Sequence, residues 1–373
     1  MKNRTVGIIT IPISKSGLTP LSNLVDIICS LSPAVFLITG DAGYQFYKND
    51  NRLTSYKIFH SNSTFFLLRI FNYMIIQVTI SFFIVTTRKK VDCFIFFVGG
   101  DTLALPMITA RILKKKVFIL FAGSIIKTLE SKKDPLGYGL KMLRYITCSF
   151  AHTLIVYAEG LIKDYSLERW TRKITIAYNH FIVFDRFRIE KEYPVREFIV
   201  GYVGRFDEEK GIMHLLHAVP EIVKNNPDVS FLFIGDGEQR NVIEHYITDK
   251  GMRDTIILSG WIAHELIADY LNRMKLLVIP SYTEGLPNVM IEAMACGTPV
   301  LATPVGAIPS IIRDEETGFI MENNTPACIA ANVVRALSYP LMETIVENAK
   351  MRVEKDFTFE SAVTRMKDVL DEN

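Results

Sequence analysis

Two cations lie five residues apart in the segment FIVGYVGRFDEEKG, which spans residues 198–211. Arg205 follows an apolar run typical of a buried strand, and Lys210 precedes a helix-like stretch. Both side chains can therefore point into one crevice, where they would suit a diphosphate whose bond to a leaving group is breaking. The alternative is that the acidic residues 207–209 pair with these cations as surface ion pairs, which stabilise a protein little.

Two carboxylates frame a predicted helix start further along the chain. Glu284 lies in the loop before that helix, and Glu292 lies within it. Pro287 is placed at the first helical turn, and the N–H groups of Asn288 and Val289 would form an anion site with the helix dipole. A carboxylate beside an anion site repels the anion, so its presence there needs a reason. Accepting hydrogen bonds from sugar hydroxyls is such a reason. The alternative is a loop charge and a solvated helix face, although Glu292 has apolar neighbours. The segment is LLVIPSYTEGLPNVMIEAMACGTPVLAT (276–303).

The elements that must position these residues follow from the alternation of short apolar runs with helix-length stretches. This alternation predicts βαβ units and parallel sheets. We predict strands over residues 5–11, 34–39, 91–98, 116–121, 153–157 and 173–177, then 198–203, 229–234, 255–259, 276–280, 299–302 and 318–321. So many strands favour two doubly wound sheets over one. The helix after Pro287 is predicted to end at Gly297 in a left-handed C-cap.

Length and charge also indicate two domains. The 373 residues exceed what one hydrophobic core usually organises. Residues 1–195 carry a net charge of +13 and residues 196–373 carry −11, which suggests different partners for the two halves. We place the boundary in the irregular segment DRFRIEKEYPVRE (185–197).

The first half also contains a run without any charge, from Ile70 to Thr87. It could be a helix or helix pair packed on a sheet, a segment lying in a membrane interface, or a membrane span. Basic clusters follow at 88–90 and 114–116, which is a composition typical of contact with anionic lipid, or of ordinary solvated turns. No pattern favours nucleic acid as a partner of this basic half. The five scattered cysteines favour a reducing compartment, and we interpret the N-terminus as a first strand rather than a signal peptide.

GRFDEEKG together with EGLPNVMIEAMACGTPV resembles the retaining glycosyltransferase group 1 family, with seven residues between Glu284 and Glu292 as in its E-x7-E motif. That family has the GT-B fold, in which two Rossmann-like, doubly wound parallel-sheet domains face each other across a cleft. The resemblance covers the C-terminal half and, more weakly, 151–165 and 173–181. It implies an acceptor-binding domain over 1–193, a nucleotide-sugar-binding domain over 194–357, and a C-terminal helix over 358–373 that packs back on the first domain.

The resemblance implies a role for each matching position. Arg205 and Lys210 would hold the nucleotide diphosphate and steady the leaving group, Glu284 would contact the donor sugar, and Glu292 would bind the ribose hydroxyls. The remaining expected contacts are Leu286, Pro287, Asn288 and Val289 around sugar and phosphate, Gly235, Asp236 and Gly237 near the nucleotide, Trp261 and Ile262 beside the base, and Gly17 in a loop closing on the diphosphate. The resemblance implies no metal and no cofactor besides the donor, and no Asp-x-Asp motif is present.

One departure concerns the acceptor side of the reaction. Many family members carry a His in the stretch that corresponds to VFILFAGS (117–124), and this chain has none there. The resemblance predicts transfer of a hexosyl or N-acetylhexosaminyl group from a UDP- or GDP-sugar to a glycan or lipid-linked acceptor. Cell-surface polysaccharide or glycolipid synthesis, in the cytoplasm or on the inner face of the cell membrane, would be the setting. A sugar-nucleotide 2-epimerase and a non-catalytic sugar-nucleotide-binding subunit are the alternatives.

Overall fold

The computed structural model describes residues 4–60, 65–123, 126, 127, 129, 134–197 and 199–371. The chain divides into two compact units, one formed by residues 1–181 with 359–373 and the other by residues 182–358. Each unit is an α/β structure around one parallel sheet. Ser124 of the stretch 117–124 and Phe198 of the predicted strand 198–203 lie outside the described residues.

The first unit is built on a seven-stranded sheet in the order β3-β2-β1-β4-β5-β6-β7, and every pairing in it is parallel. Its strands are β1 (Val6–Ile9), β2 (Val35–Gly40), β3 (Leu53–Ile58), β4 (Cys93–Phe96), β5 (Lys116–Phe121), β6 (Thr153–Val156) and β7 (Ile174–Ile176). Its described helices are α1 (Leu18–Leu31), α2 (Asp41–Tyr47), α3 (Phe66–Thr87), α4 (Ala104–Ile112), α5 (Leu136–Phe150), α6 (Gly160–Asp164) and α14 (Phe359–Asp371).

The second unit is built on a six-stranded parallel sheet in the order β10-β9-β8-β11-β12-β13. Its strands are β8 (Ile199–Val203), β9 (Ser230–Ile234), β10 (Ile256–Gly260), β11 (Leu276–Ile279), β12 (Val300–Ala302) and β13 (Phe319–Ile320). Its helices are α7 (Ile212–Asn225), α8 (Arg240–Asp249), α9 (Ile267–Leu271), α10 (Asn288–Ala295), α11 (Ile308–Ile311), α12 (Pro326–Leu337) and α13 (Met342–Asp356).

The predicted fold class of two doubly wound parallel sheets is confirmed, and a strand lies at each predicted place. One strand, β3, was missed because LTSYKI has no continuous apolar run. Its polar residues are tolerated because β3 forms the edge of the sheet and is largely half-buried. In contrast, β4 and β11 are buried along their whole length, as expected for strands covered on both faces.

The division between the units falls at 181/182, before the boundary that we predicted at 193/194. The intervening segment packs on the second unit through buried polar groups. Buried Asn272 accepts from the backbone N–H of Glu190 at 2.8 Å through its Oδ1 and donates to the carbonyl of Arg188 at 3.0 Å through its Nδ2. Irregular sequence thus marked the connection, while these hydrogen bonds decide to which unit it belongs.

The two ends of the second unit meet in space. The N–H of Ile182 donates to the carbonyl of Phe357 at 2.8 Å. The chain then returns to the first unit, where α14 follows and Arg4 donates to the carbonyl of Leu370 at 3.0 Å. Residues 182–358 are therefore an insertion between two parts of the first unit.

Candidate active site

The predicted donor-site residues of the second unit lie where the order of its sheet reverses. Strand β8 has β9 on one side and β11 on the other, so the loops that follow β8 and β11 diverge to opposite sides. Such a switch point leaves a crevice at the carboxyl ends of the strands, where open α/β sheets bind ligands. Arg205 and Lys210 follow β8, and Glu284 follows β11.

Gly211 holds these two loops together. It adopts a left-handed conformation with φ +68°, and a Cβ at this position would overlap the carbonyl oxygen of Pro280, directly after β11. The N–H of Tyr282 also donates to the carbonyl of Glu209 at 2.9 Å. Only glycine satisfies both the backbone angle and the close approach, and this keeps Lys210 beside the loop that carries Glu284.

Both predicted cations are paired with carboxylates. Arg205 forms ion pairs with Asp207 and Glu209, which is the alternative foreseen for this cation. Lys210 instead crosses to the other loop, where its Nζ lies 2.8 Å from Oε1 of Glu284. These two side chains are only 19% and 11% exposed, so the pair is less screened by solvent than a surface pair.

Glu284 sits in a loop that is fixed on several sides. Its Oε1 also accepts from the hydroxyl of buried Ser281 at 2.7 Å. The carbonyl of the next residue, Gly285, accepts from the N–H of Ala307 at 2.8 Å. The carboxylate is thus held in one place, and its Oε2 has no hydrogen bond from another described side chain. Ser281 was not among the predicted site residues, because a hydroxyl after a strand is common.

The anion-binding helix start is α10, with one correction. Pro287 is the N-cap, with ψ 120°, rather than a residue of the first helical turn, and Asn288 and Val289 open the helix. As in any α-helix, the N–H groups of these first residues have no carbonyl acceptor within the helix. Leu286 and Pro287 are buried. The helix ends as predicted, because Gly297 adopts φ +69°.

Glu292 is buried in α10 with 5% of its surface exposed, so a solvated helix face is ruled out. Its Oε1 lies 2.7 Å from Nε2 of His264, in the turn before α9. This hydrogen bond raises the pKa of His264 above its usual value, against the opposing effect of burial. His264 was not predicted as a site residue. The one signal for it in the sequence was its place two residues after Ile262, which was expected beside the base.

The other predicted nucleotide contacts lie at the carboxyl ends of β9 and β10. Asp236 accepts from the N–H of Phe206 at 2.9 Å through its carbonyl, so the 235–237 loop lies beside the Arg205 loop. Gly235 is buried, whereas Asp236 and Gly237 are exposed. Trp261 is 57% exposed at the end of β10, and Ile262 is half-buried.

In the first unit, Gly17 ends a short 3-10 helix (Lys15–Gly17) and is the N-cap of α1 in an ordinary helical conformation, with φ −84°. In the turn at 99–101, one side chain forms an ion pair inside the first unit. Asp101 is buried, and its Oδ2 lies 2.6 Å from Nη2 of buried Arg144. His180 is also buried, packed edge-on against Tyr157. Among the described residues, no three His, Cys, Asp or Glu side chains are grouped so that they could hold a metal ion.

Comparison with known proteins assigns part of this chain to a family. The family of glycosyl transferases group 1 matches residues 183–352, almost the whole second unit. Residues 183–352 therefore match the group 1 glycosyltransferase family, and the resemblance noted for the C-terminal half of the sequence is confirmed.

Three named relatives match parts of the chain. An alpha-D-kanosaminyltransferase of Streptomyces kanamyceticus is 34% identical over 152 residues, which are 40% of this chain and 39% of that protein. The capsular polysaccharide biosynthesis glycosyltransferase CapM of Staphylococcus aureus is 33% identical over 249 residues, 62% of this chain and 64% of CapM. A UDP-Gal:alpha-D-GlcNAc-diphosphoundecaprenol alpha-1,3-galactosyltransferase of Escherichia coli is 27% identical over 175 residues, 46% and 45% of the two chains. These matches thus span between 39% and 64% of the relatives' lengths.

Solved structures resemble the whole chain. The UDP complex of HepE from Anabaena has a TM-score of 0.78 at 16% identity and covers 100% of both chains. Sucrose-phosphate synthase from Thermosynechococcus elongatus has a TM-score of 0.77 at 19% identity and covers 99% of this chain and 98% of its own. At such identities the likeness establishes the fold, and the fold is GT-B.

Proposed function

We propose that this protein is a retaining glycosyltransferase that moves a hexosyl or N-acetylhexosaminyl group from a UDP- or GDP-sugar to a glycan or lipid-linked acceptor. The observation that carries the proposal is the pair of Lys210 and Glu284 at the switch point of the second sheet. A diphosphate needs a fixed cation, and a sugar ring needs a fixed hydrogen-bond acceptor. Lys210 supplies the cation and Glu284 supplies the acceptor, and the two side chains are in direct contact. Buried Glu292 supplies a second acceptor on the helix that follows, α10.

Donor binding would then be an exchange of partners. Without donor, Lys210 and Glu284 satisfy each other. A nucleotide sugar brings a diphosphate for Lys210 and sugar hydroxyls for Glu284, so each side chain gains a partner of matching chemistry. Because both side chains are already held, little conformational entropy is lost when the donor arrives.

The proposed reaction breaks the bond between the anomeric carbon and the diphosphate oxygen and forms a bond to the acceptor oxygen on the same face. The acceptor proton passes to the leaving phosphate oxygen, so a protein base is not needed. Arg205 and Lys210 stabilise the charge that develops on the phosphate. We propose that these cations suffice without a metal, and EDTA is then expected to leave the rate unchanged.

The names of the relatives support the choice of donor and acceptor. The Escherichia coli relative is named for a UDP-galactose donor and a diphosphoundecaprenol-linked acceptor, and CapM is named for capsular polysaccharide synthesis. The HepE structure contains UDP. For this chain we therefore propose a nucleotide-sugar donor and an acceptor from cell-surface polysaccharide or glycolipid synthesis.

The test is release of free UDP or GDP from UDP- and GDP-hexoses and N-acetylhexosamines, with diphospholipid-linked sugars as acceptors. We expect turnover that Lys210→Met abolishes and Lys224→Met leaves unchanged, since Lys224 is an exposed residue of α7. Proton NMR of the product should show the anomeric configuration of the donor. Inversion at the sugar C2 without net nucleotide release would instead indicate an epimerase. Tight donor binding without turnover on every acceptor would indicate a non-catalytic subunit.

An anionic lipid surface is the proposed setting, and helix α3 carries this part of the proposal. Among the described residues, α3 is long and apolar enough to cross a membrane. Only 22% of its most apolar 18-residue stretch is buried in the protein. Its inner side packs on the unit, where Tyr73 donates to the carbonyl of Thr102 at 2.8 Å and Gln77 accepts from the N–H of Leu105 at 2.9 Å. The exposed apolar residues are Phe66, Leu67, Leu68, Ile70, Phe71, Met74, Ile75, Val78, Phe82 and Val85.

The apolar surface continues over α4 and α5, which pack in sequence beside α3. We call this surface the α3–α5 face. Leu105 and Ile112 are exposed on α4, and Tyr138, Met142, Tyr145 and Phe150 on α5. None of the segments 66–91, 104–116 and 136–150 contains an Asp or Glu. Such an area, apolar and without acid, fits a lipid surface better than water.

Basic residues border this face at the amino ends of β4 and β5. Arg88, Lys89 and Lys90 are exposed after α3, and Lys114 is exposed after α4. Since Cys93 of β4 pairs with Lys116 of β5, the two basic clusters lie side by side. Each cation near an anionic membrane contributes about 1 kcal/mol to binding. The proposed occupant of the α3–α5 face is therefore an anionic bilayer on the cytoplasmic side.

Sedimentation with phosphatidylglycerol–phosphatidylcholine vesicles tests this setting. We expect the protein to bind these vesicles, and we expect the binding to weaken as the salt concentration rises. The double variant Phe71→Ser with Phe82→Ser should bind the vesicles much more weakly. Val242→Ser, which removes an exposed apolar residue of the second unit, should have no effect. Association of the protein with itself in place of vesicle binding would assign the face to a second copy and overturn the proposal.

A further inference from the structure

The hydrogen bond between Glu292 and His264 joins an expected ligand-binding group to a residue outside the predicted donor site. Glu292 lies on an apolar stretch of α10, between buried Ile291 and Ala293. A buried carboxylate without a partner is costly, and it avoids that cost by taking up a proton or by turning away. Among the described residues, His264 is the one side chain that hydrogen-bonds to the Glu292 carboxylate.

His264 is itself held in place. Its ring packs against the ring of buried Phe187, with the centroids 5.5 Å apart and the planes inclined by 47°. The side chain remains 38% exposed, so one side of it faces solvent. Since a carboxylate can only accept, Nε2 of the imidazole is the donor in this hydrogen bond.

The hydrogen bond leaves most of the carboxylate free to bind a ligand. An ionised carboxylate has about four lone-pair positions, and His264 occupies one of them on Oε1. Three positions remain, which is enough for the two hydroxyls of a ribose. The position of His264 therefore decides in which direction these remaining lone pairs point.

We infer that His264 is a positioning residue for nucleotide binding: it holds the Glu292 carboxylate in the orientation in which this carboxylate accepts the ribose hydroxyls of the donor. The inference rests on the proposed nucleotide-sugar donor. In this inference, His264 acts on the bound nucleotide only through Glu292. Loss of its hydrogen bond should weaken the binding of the ribose and leave the binding of the diphosphate unchanged.

The test combines protein variants with nucleotides that lack the hydroxyls. Dissociation constants are measured by calorimetry for UDP and GDP, and then for the 2′,3′-dideoxy form of whichever binds. We expect His264→Ala to weaken binding of the ribonucleotide about tenfold, equal to about 1.4 kcal/mol, and to leave the dideoxynucleotide unaffected. His264→Gln, whose amide can still donate, should recover most of the affinity.

His245→Ala is the matched control, because His245 is an exposed residue of α8 whose Nδ1 hydrogen-bonds to the carbonyl of Asn241 in the same helix. Glu292→Ala should abolish the preference for ribose over dideoxyribose. The inference is overturned if His264→Ala weakens both nucleotides equally, or neither, while Glu292→Ala removes the ribose preference. If the wild-type protein binds neither UDP nor GDP, the proposed function itself fails, and this outcome is distinct from the first.

Discussion

Replacement of Glu284 by Gln should tighten the binding of free UDP or GDP while it suppresses sugar transfer. In the ligand-free site, Oε1 of Glu284 competes with any phosphate for Lys210, at a distance of 2.8 Å. Gln keeps the shape and can still accept from Ser281 and Lys210, but it carries no charge. The variant therefore removes the competing charge without opening a cavity.

The magnitude follows from the geometry. A phosphate oxygen in contact with Lys210 would lie about 5 Å from the Glu284 carboxylate, and at an effective dielectric constant of about 20 the repulsion is about 3 kcal/mol. Both side chains are partly exposed, so solvent reduces this value to about 1 kcal/mol. We therefore expect the dissociation constant of free nucleoside diphosphate to fall about fivefold. We expect kcat for transfer to fall at least about a hundredfold, because an acceptor for the donor sugar loses its charge.

Calorimetry with free nucleoside diphosphate and a nucleotide-release assay measure the two effects separately. Glu208→Gln is the control, since it removes the same charge from an exposed residue of the adjoining loop that forms no ion pair among the described residues. A Glu284→Gln protein that binds free diphosphate more weakly than the wild type would refute the exchange of partners. The same conclusion would follow if Glu208→Gln tightened binding equally, because the effect would then be one of net charge alone.

Three further predictions concern single contacts. Lys210→Arg should retain part of the nucleotide-release activity that Lys210→Met loses, because a guanidinium keeps the charge but shifts its position; steady-state kinetics would contradict this role if both variants were equally active. Arg144→Met should lower the free energy of unfolding by about 3–5 kcal/mol, because it leaves Asp101 buried without its cation, and the double variant Asp101→Leu with Arg144→Met should recover much of that loss in urea titrations. The raised pKa of His264 predicts that the wild-type protein is more stable than the His264→Gln variant below about pH 6.5, and that this advantage is lost as the pH rises through the folded-state pKa. Melting temperatures of the two proteins measured across this pH range test the prediction. A wild-type advantage that grows with pH would contradict it.

Much of the fold was predictable because buried parallel strands have a simple signature. Runs such as LLVI and FLFI are apolar throughout, since both faces of the sheet are covered. Strand β3 lacks that signature at the sheet edge. The position of the unit boundary was not predictable, because it depends on where the polar groups of residues 182–193 find partners, such as the side chain of Asn272 for the backbone N–H of Glu190.

The chemistry of the second unit was predictable where residue type and local order suffice. Burial of Glu292 followed from its apolar neighbours, and the end of α10 followed from Gly297. The partners of each group were not predictable, because they come from distant parts of the chain. His264 reaches Glu292 across 28 positions and Lys210 reaches Glu284 across 74, and one sequence contains no signal for such pairings.

The meeting of Ile182 and Phe357 gives the second unit a practical property. A domain whose two ends lie side by side can be removed from its host, or exchanged for another, with little strain on either part. Residues 182–358 contain the Lys210–Glu284 and His264–Glu292 pairs and their own core. Exchange of this insertion between relatives should therefore transfer the choice of donor, while the host that receives it keeps its own choice of acceptor.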